Sequence, residues 1–151
     1  MKILLPFDGS PAALEAVRFA IHLAGEGLGS SMVLANVQEH ASLYELMVAH
    51  DPQVIEQVSV AAGVNTLKPA QALLEDAGIT FETEVTTGDP AHTLVDILEN
   101  YGCDMVVMGA RGTSTLRSAL LGSVSNELLH AAGVPVMIVK SPEESVTELE
   151  G

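Results

Sequence analysis

The alternation of five short apolar runs with four helical patterns restricts the fold of this chain more than any other feature. The runs have the length and composition of strands, and they lie at Lys2–Phe7, Met32–Val37, Phe81–Thr87, Asp104–Gly109 and Val134–Val139. Between them, apolar residues recur every three or four positions, as on a helix that covers a sheet. Strands that alternate with long helical crossovers predict one α/β domain with an open parallel sheet and helices on both faces.

Two of the strands carry features of a sheet edge. The third strand, FETEVTT, alternates apolar residues and threonines with Glu82 and Glu84, as expected where one face meets solvent. Pro135 lacks a backbone N–H and therefore puts the fifth strand at an edge, or itself near the start of that strand. Apart from the third, the strands are nearly continuous apolar runs, which is typical of strands buried on both faces.

Three of the helices have recognisable starting points. Ser10 followed by Pro11, and Asp89 followed by Pro90, predict an N-cap with proline in the first turn. The last helix is expected to begin near Ser123, after a glycine-rich segment. These starts place each helix directly after a strand, which agrees with the parallel sheet.

The stretch between the second and third strands is the least regular part of the sequence. A helical pattern runs from Pro52 to Ala77, and Gly63 and Pro69 are predicted to kink or interrupt it. The segment from Gln38 to Gln53 is long for a connection. It is compatible with a mobile flap near a ligand and equally with an irregular start of the second helix.

The charge of the chain excludes some classes of partner. The formal net charge is −14, from 20 acidic and 6 basic residues. Such a surface repels phosphate backbones and anionic lipid, so neither a nucleic-acid polymer nor a membrane surface is expected as partner. A small anion stays compatible, because backbone N–H groups and local arginines can hold it. The acidic stretch at residues 142–151 predicts a domain at 1–141 and then a solvated acidic tail, or a short docking helix.

The sequence gives no pattern for a disulfide, a metal site or a catalytic triad. Cys103 is the single cysteine, and its place before an apolar run predicts a buried thiol. The five histidines show no metal-ligand spacing. The N-terminus reaches Pro6 and Asp8 too early for a secretory signal, and no apolar run approaches the roughly 20 residues of a membrane span. A cytoplasmic protein without catalytic or metal-ligating residues is therefore expected.

The segment after the fourth strand holds the strongest functional motif. It reads MGARGTSTLRSALLGSVSNELLH, and Gly109, Gly112, Gly122 and Ser123 give the spacing G-x2-G-x9-G-[ST]. The first glycines let the backbone turn tightly and approach a ligand without an intervening Cβ. The last two residues fall at a helix start, where unpaired N–H groups and the helix dipole favour an anion. The motif therefore predicts a phosphate-binding loop.

Two arginines strengthen this interpretation. Arg111 and Arg117 are two of only six basic residues, and both lie in the loop. The alternative is a glycine-rich connection that ends in an ordinary serine helix cap. Neither G-x4-G-K-[ST] nor a G-x-G-x-x-G after the first strand is present, which excludes a P-loop NTPase and the Rossmann dinucleotide site.

Together these motifs resemble the universal stress protein family, in its ATP-binding branch. The first strand runs into Asp-Gly-Ser within ILLPFDGS, at Ile3–Ser10. The glycine spacing follows, and GSVSNELLHAAGVPVMIVK, at Gly122–Lys140, is similar to the closing helix and strand of the family. The resemblance covers Met1 to about Lys140, whereas the part between Gln38 and Ala77 is too variable to contribute.

The resemblance implies both a topology and a ligand. The sheet would have the order 3-2-1-4-5, the adenine nucleotide α-hydrolase-like arrangement, with Asp8 and Gly109 facing each other across the switch point. The ligand would be an adenine nucleotide, ATP or AMP, with Mg²⁺ among its phosphates. The nucleotide-binding residues would be Pro6, Asp8, Val37, Met108, Gly109, Arg111, Gly112, Gly122, Ser123 and Val124. A homodimer would form through Val134–Val139, which would be an exposed apolar edge in a monomer.

Three functions remain open at this point. The first is a nucleotide-binding regulatory module for the stress response, the second a slow ATPase or phosphotransferase, and the third a structural dimer with an empty cleft. Phosphoryl transfer needs a placed base and neutralisation of the phosphate charge. The loop offers arginines and hydroxyls but no lysine and no evident base. We therefore expect the nucleotide to be sensed rather than consumed. From its position alone, Asp8 could instead cap the first helix.

Overall fold

A computed structural model of the chain describes residues 1–28, 31–39, 51–110 and 122–140. In these ranges strands and helices alternate as predicted. The strands are β1 (Lys2–Pro6), β2 (Ser31–Gln38), β3 (Thr80–Thr87), β4 (Met105–Gly109) and β5 (Val136–Val139). The helices are α1 (Pro11–Gly25), α2 (Pro52–Asp76), α3 (Pro90–Tyr101) and α4 (Ser123–Ala131).

The strands form one parallel sheet in the order β3-β2-β1-β4-β5. This confirms the predicted fold class and topology, including β3 and β5 at the two edges. The chain winds outward from β1 to β3 and then returns to the other side of β1 to form β4. The switch point therefore lies between β1 and β4, where ligands of open α/β sheets bind at the carboxyl ends.

An aliphatic core covers each face of the sheet. On one face α1 and α2 pack through residues such as Val17 and Leu74 against Leu34 and its neighbours. On the other face α3 and α4 pack through residues such as Ile97 and Leu128. Cys103 is buried in this second core, as predicted, and burial raises the pKa of its thiol. No helix within the described ranges is both long and apolar enough to cross a membrane.

The predicted helix caps are present. The Oγ of Ser10 accepts a hydrogen bond from the backbone N–H of Ala13 at 3.1 Å, and a carboxylate oxygen of Asp89 accepts one from His92 N–H at 3.1 Å. The cap position of α4 is held by Gly122, with no side-chain hydrogen bond. An ordinary serine cap, the alternative for Ser123, is therefore wrong.

Of the kink or interruption predicted at Gly63 and Pro69, an interruption of the second helix is wrong. Helix α2 runs continuously from Pro52 to Asp76 and contains both residues. Its second half buries Leu67, Ala70 and Leu74 completely or nearly so, and this packing outweighs the low helix propensity of glycine and proline.

Strand ends differ from the predicted ones by one or two residues. Strand β5 begins at Val136 rather than Val134, because Pro135 has no N–H to continue the ladder. Strand β1 ends at Pro6 rather than Phe7. Most of the segment 38–53 and the whole of the acidic tail, residues 142–151, fall outside the described residues.

Candidate functional site

A cleft of about 300 Å³ opens at the carboxyl ends of β1, β2 and β4. This volume is at the lower end of the range of roughly 300–1,000 Å³ typical of small-molecule pockets. Eight of the ten residues predicted to bind a nucleotide line it: Pro6, Asp8, Val37, Met108, Gly109, Gly122, Ser123 and Val124. The other two, Arg111 and Gly112, lie outside the described residues. Residues that are far apart in sequence thus meet around one space.

The end of β1 presents an exposed carboxylate to the cleft. The Oδ1 atom of Asp8 accepts a hydrogen bond from the backbone N–H of Ser10 at 2.9 Å. Gly9 between them has φ +84°, a conformation that favours glycine. Because Ser10 itself caps α1, Asp8 is not the cap of that helix. This tight turn fixes the Asp8 carboxylate at the mouth of the cleft.

Two hydrogen bonds close the neck of the glycine-rich loop. The N–H of Gly122 donates to the carbonyl of Ala110 at 3.0 Å, and the Oγ of Ser125 donates to the carbonyl of Gly109 at 3.1 Å. The loop therefore leaves β4 and enters α4 at nearly the same point. This geometry brings the N-terminus of α4, with its positive dipole end, beside the end of β4.

Gly109 lacks a side chain for a reason that the sequence did not reveal. A Cβ placed there would lie 2.7 Å from the backbone carbon and 2.9 Å from the carbonyl oxygen of Ala12. The glycine therefore allows the first turn of α1 to pack directly against β4. This packing draws Asp8, on the turn that leads into α1, toward the loop that follows β4.

The structure adds residues that the sequence interpretation missed. Asn36 and Ser125 are buried polar residues of the lining, and Pro90 and Leu94 of α3 supply apolar surface. Asn36 is the polar residue within the apolar run MVLANV, a signal that could have identified it. Pro90 and Leu94 carry no such signal, because an apolar pair on a helix predicts only core packing.

The lining combines apolar and polar residues. Ala35, Val37, Leu94 and Met108 supply apolar surface near the ends of β2 and β4. The described lining has two carboxylates, those of Asp8 and Glu39, and no lysine or arginine. A flat apolar group fits the apolar residues of the lining, and groups bound by backbone N–H fit the start of α4.

An ion pair stands beside the cleft at the start of α3. The Nδ1 atom of His92 lies 2.9 Å from a carboxylate oxygen of Asp89, and both side chains are exposed. This hydrogen bond raises the pKa of His92 and lowers the pKa of Asp89. The pair flanks Pro90, which lines the cleft, but its own side chains are not part of the lining.

No preformed metal cage is present in the part of the chain that the structure describes. Within it, no three His, Cys, Asp or Glu side chains are grouped so that they could hold a metal ion. Mg²⁺ does not need such a cage, since it commonly binds through one or two carboxylates, water and the phosphates of a nucleotide. The described residues are therefore compatible with a metal that arrives with its ligand.

The sequence is similar to that of a known protein family. The sequence model of the universal stress protein family matches residues 1–140. Universal stress protein MJ0531 of Methanocaldococcus jannaschii is 32% identical over 143 residues, which cover 95% of this chain and 84% of that protein. Universal stress protein YxiE of Bacillus subtilis is 30% identical over 145 residues, covering 92% of this chain and 98% of that protein.

Solved structures agree on the fold. The structure of the hypothetical protein MJ0577, described as a test case of structural genomics, superposes with a TM-score of 0.78. It is 28% identical to this chain, and the match covers 92% of this chain and 94% of that one. A universal stress protein solved in complex with cAMP superposes with a TM-score of 0.65 and 24% identity. The match covers 93% of this chain and 97% of that one. A universal stress protein family protein from Arabidopsis thaliana with AMP bound superposes with a TM-score of 0.66 and 17% identity. The match covers 96% of this chain and 94% of that one.

The family match, over residues 1–140, includes all of the described residues, and the sheet order agrees with it. By sequence and by fold, this chain belongs to the universal stress protein family.

Proposed function

We propose that the cleft binds an adenine nucleotide, ATP or AMP, and that the protein is a regulatory module whose state depends on nucleotide occupancy. The observation that carries the proposal is that eight residues predicted from the sequence line one cleft at the switch point of the sheet. The cAMP and AMP found in two structures of the same fold support the chemical class of the ligand.

The lining suggests an orientation for the nucleotide. The base would lie against apolar residues of the lining, near Pro6, Val37 and Met108. The ribose would lie near the Asp8 carboxylate, which can accept hydrogen bonds from its hydroxyls. The phosphates would meet the N-terminus of α4, where the N–H groups of Ser123 and Val124 point out of the helix without a side-chain cap.

Mg²⁺ would accompany a di- or triphosphate. The ion would be held mainly by phosphate oxygens and water. Of the two carboxylates in the lining, Asp8 would be the nearer one, because it follows β1, the strand next to β4. Its contribution would be to neutralise phosphate charge in a protein that carries a formal net charge of −14.

We favour regulated binding over rapid hydrolysis. Phosphoryl transfer needs a base and positive charge placed at the transferred group. The segment Gly109–Ser123 contains no lysine, and the described lining contributes only carboxylates, hydroxyls and an amide as polar side chains. The expected phosphate release is far below the roughly 1–100 s⁻¹ of kinases, and a phosphate assay over hours measures it.

A homodimer through β5 belongs to the same proposal. Strand β5 pairs with β4 on one side, and its residues Val136 to Val139 are only half-buried. Within the described ranges no strand pairs with its other edge, and an unpaired apolar edge favours association with a second copy. A dimer would present a surface that depends on nucleotide occupancy, and a partner protein could recognise that surface.

The test compares ligand-dependent stability in two glycine variants. A bound ligand raises the melting temperature by mass action, so millimolar ATP with Mg²⁺ is expected to stabilise the wild-type protein. Gly122→Val places a branched side chain at the start of α4 and is expected to abolish this stabilisation while the fold survives. Gly133→Val is the matched control, since Gly133 faces open space, and it should respond to ATP like the wild type.

Two results would contradict the proposal. One is a wild-type protein whose melting temperature does not change at millimolar ATP with Mg²⁺. The other is a Gly122→Val variant that binds ATP as tightly as the Gly133→Val control, because the phosphates would then lie elsewhere.

A further inference from the structure

Asn36 is a buried polar residue in the middle of an apolar strand, and both ends of its amide are used. The residue is 3% exposed and lies on the face of β2 that packs toward α1 and α2. Its Nδ2 atom donates to the carbonyl of Phe7 at 2.9 Å, and its Oδ1 atom accepts from Nε2 of Gln38 at 2.7 Å. A buried polar group is costly unless it is paired in this way, so the arrangement needs a reason.

The bond to Phe7 takes the place of a backbone bond. The paired register of β1 and β2 ends at Pro6 and Ala35, and the N–H of Phe7 still donates to the carbonyl of Ala35 at 2.8 Å. If the parallel ladder continued, the carbonyl of Phe7 would accept next from the backbone N–H of Val37. It accepts instead from the side chain of Asn36.

The peptide groups of Val37 therefore face the cleft. Successive residues of a strand direct their N–H and C=O groups to opposite edges. The carbonyl of Gln38 accepts a hydrogen bond from the N–H of Gly88 on the β3 side at 2.9 Å. The backbone N–H and C=O groups of Gln38 and Asn36 therefore face β3. The N–H and C=O of Val37 face the other side, where β1 has ended and the cleft begins.

We infer that Asn36 is a positioning residue that keeps the N–H and C=O of Val37 available to read the edge of the base. This inference rests on the proposed function, and it extends it to the choice among purine bases. The side-chain amide of Asn36 satisfies the carbonyl of Phe7, and the backbone amide of Val37 is not drawn into the ladder. One donor and one acceptor then lie side by side on the same strand edge.

This pair of groups is complementary to adenine. The N1 atom of adenine is an acceptor and its 6-amino group is a donor, so they match the N–H and the C=O of Val37. Hypoxanthine has nearly the same shape, but it carries N1–H as a donor and a 6-oxo group as an acceptor. Both hydrogen bonds would then meet like groups, and a site built to hydrogen-bond one pattern rejects the reverse pattern.

Helix α2 packs closely against the side chain of Asn36. A Cβ on Gly63 would lie 2.7 Å from Oδ1 of Asn36 and 2.5 Å from Cγ1 of Val85. The backbone of α2 therefore packs directly on the amide and restricts its rotamer. This contact holds the Nδ2 atom toward Phe7.

The test measures dissociation constants of ATP and inosine triphosphate by calorimetry. The two ligands have identical phosphates and ribose, so the ratio of their dissociation constants reports only how the base is read. The wild type is expected to bind ATP at least roughly tenfold more tightly, the size of one exchanged hydrogen bond. In Asn36→Val the N–H of Val37 is free to bond to Phe7, and the ratio is expected to fall to about one.

Control variants separate this role from a general effect on folding. Asn100→Ala removes an exposed asparagine at the end of α3 remote from the cleft, and it should keep the wild-type ratio. Asn36→Ala decides the question if Asn36→Val does not fold, because it also removes the amide but leaves less bulk.

Each alternative outcome overturns the inference. A wild type that does not distinguish the two nucleotides shows that the base edge is not read by Val37. An Asn36 variant that loses affinity for both nucleotides equally, and so keeps the wild-type ratio, gives Asn36 only a structural role. If the wild type binds neither nucleotide, the proposed function fails as well, and this result is distinct from the other two.

Discussion

Single residues around the cleft are constrained by packing as well as by a ligand. Gly109 is part of the phosphate-binding motif, yet its missing side chain makes room for the backbone of Ala12. The motif therefore has a structural component that the spacing alone does not reveal. A glycine in a ligand-binding motif can be required by the fold before any ligand is present.

The first prediction separates these two roles. Gly109→Ala places a Cβ less than 3 Å from the backbone of α1, which cannot move cheaply, and it should lower the free energy of unfolding by about 1–3 kcal/mol. Urea denaturation without nucleotide measures the loss. Gly25→Ala, where a Cβ meets nothing within 4 Å, is the control and should stay within about 0.5 kcal/mol of wild type. Equal stability of the two variants would show that the close packing is wrong.

The second prediction concerns the pair beside the cleft. Asp89 raises the pKa of His92 above its ordinary value of 6.5 by hydrogen bonding and charge. This contribution to stability is fully present below pH 6.5 and is lost as the pH rises through the folded-state pKa. The lowered pKa of Asp89 means that the contribution of its carboxylate is lost as the pH falls below its ordinary value of 3.8. The pair is therefore intact in the window between these limits.

An NMR titration of the His92 ring tests this assignment. Asp89→Asn keeps an N-cap for α3 but removes the charge, so the pKa of His92 should fall toward 6.5. Asp76→Asn, at the end of α2, is the control and should leave the titration of His92 as in the wild type. An unchanged titration in Asp89→Asn would contradict the pairing.

At the scale of elements, the sequence predicts kinds and order better than it predicts contacts. Apolar runs and cap residues such as Ser10 and Asp89 are local, and they were sufficient for the order of strands and helices. The continuity of α2 was not predictable, because it depends on burial of Leu67 and Leu74 against strands distant in sequence. Local propensity at Gly63 and Pro69 gave the opposite expectation.

Helix α2 supplies the third prediction. An alanine in a helix interior normally stabilises relative to glycine by about 1 kcal/mol. Gly63→Ala should nevertheless lower the free energy of unfolding, because its Cβ would contact Asn36 and Val85 at less than 3 Å. Chemical denaturation measures the sign. Ala61→Gly, an exposed change on the same helix, gives the cost of glycine without the contact.

The contradicting result is simple to recognise. If Gly63→Ala stabilises the protein by as much as Ala61→Gly destabilises it, then α2 does not pack closely on β2 and β3.

At the scale of the whole molecule, the fold itself assembles the candidate site. Asp8, Val37, Gly109 and Ser123 belong to four different parts of the chain and meet only because parallel strands end on the same side. The motif and the family resemblance were enough to name eight residues of one cleft. Pro90 and Leu94 were missed, because their place in the lining depends on helix packing that no local pattern encodes. Asn36 stands out as a polar residue in an apolar run, but its hydrogen bond to Phe7 depends on the register of β1 and β2.

The outer edge of β5, which no strand of the described residues covers, gives the fourth prediction, a homodimer in solution. The carbonyl of Pro135 accepts a hydrogen bond from Val106 in β4, and that of Val139 accepts one from Ala110 just after it, so by alternation the N–H of Ile138 points away from β4. Ile138→Pro removes this donor and should convert the dimer to a monomer, whereas Ile138→Ala loses packing but keeps the N–H and should remain a dimer. Light scattering at micromolar concentration measures the mass. A monomeric wild type, or a dimeric Ile138→Pro, would contradict pairing through β5.

The most direct test of the account is to map where ATP binds by backbone amide NMR. With saturating ATP and Mg²⁺, the largest chemical-shift changes are expected at Asp8, Val37, Ala110 and Ser123, around the carboxyl ends of the strands. Amides at the opposite end of the sheet, such as those of Lys2, Ser31 and Thr80, should not change. No shift changes at all, or changes clustered at the amino ends of the strands, would contradict a nucleotide site in this cleft.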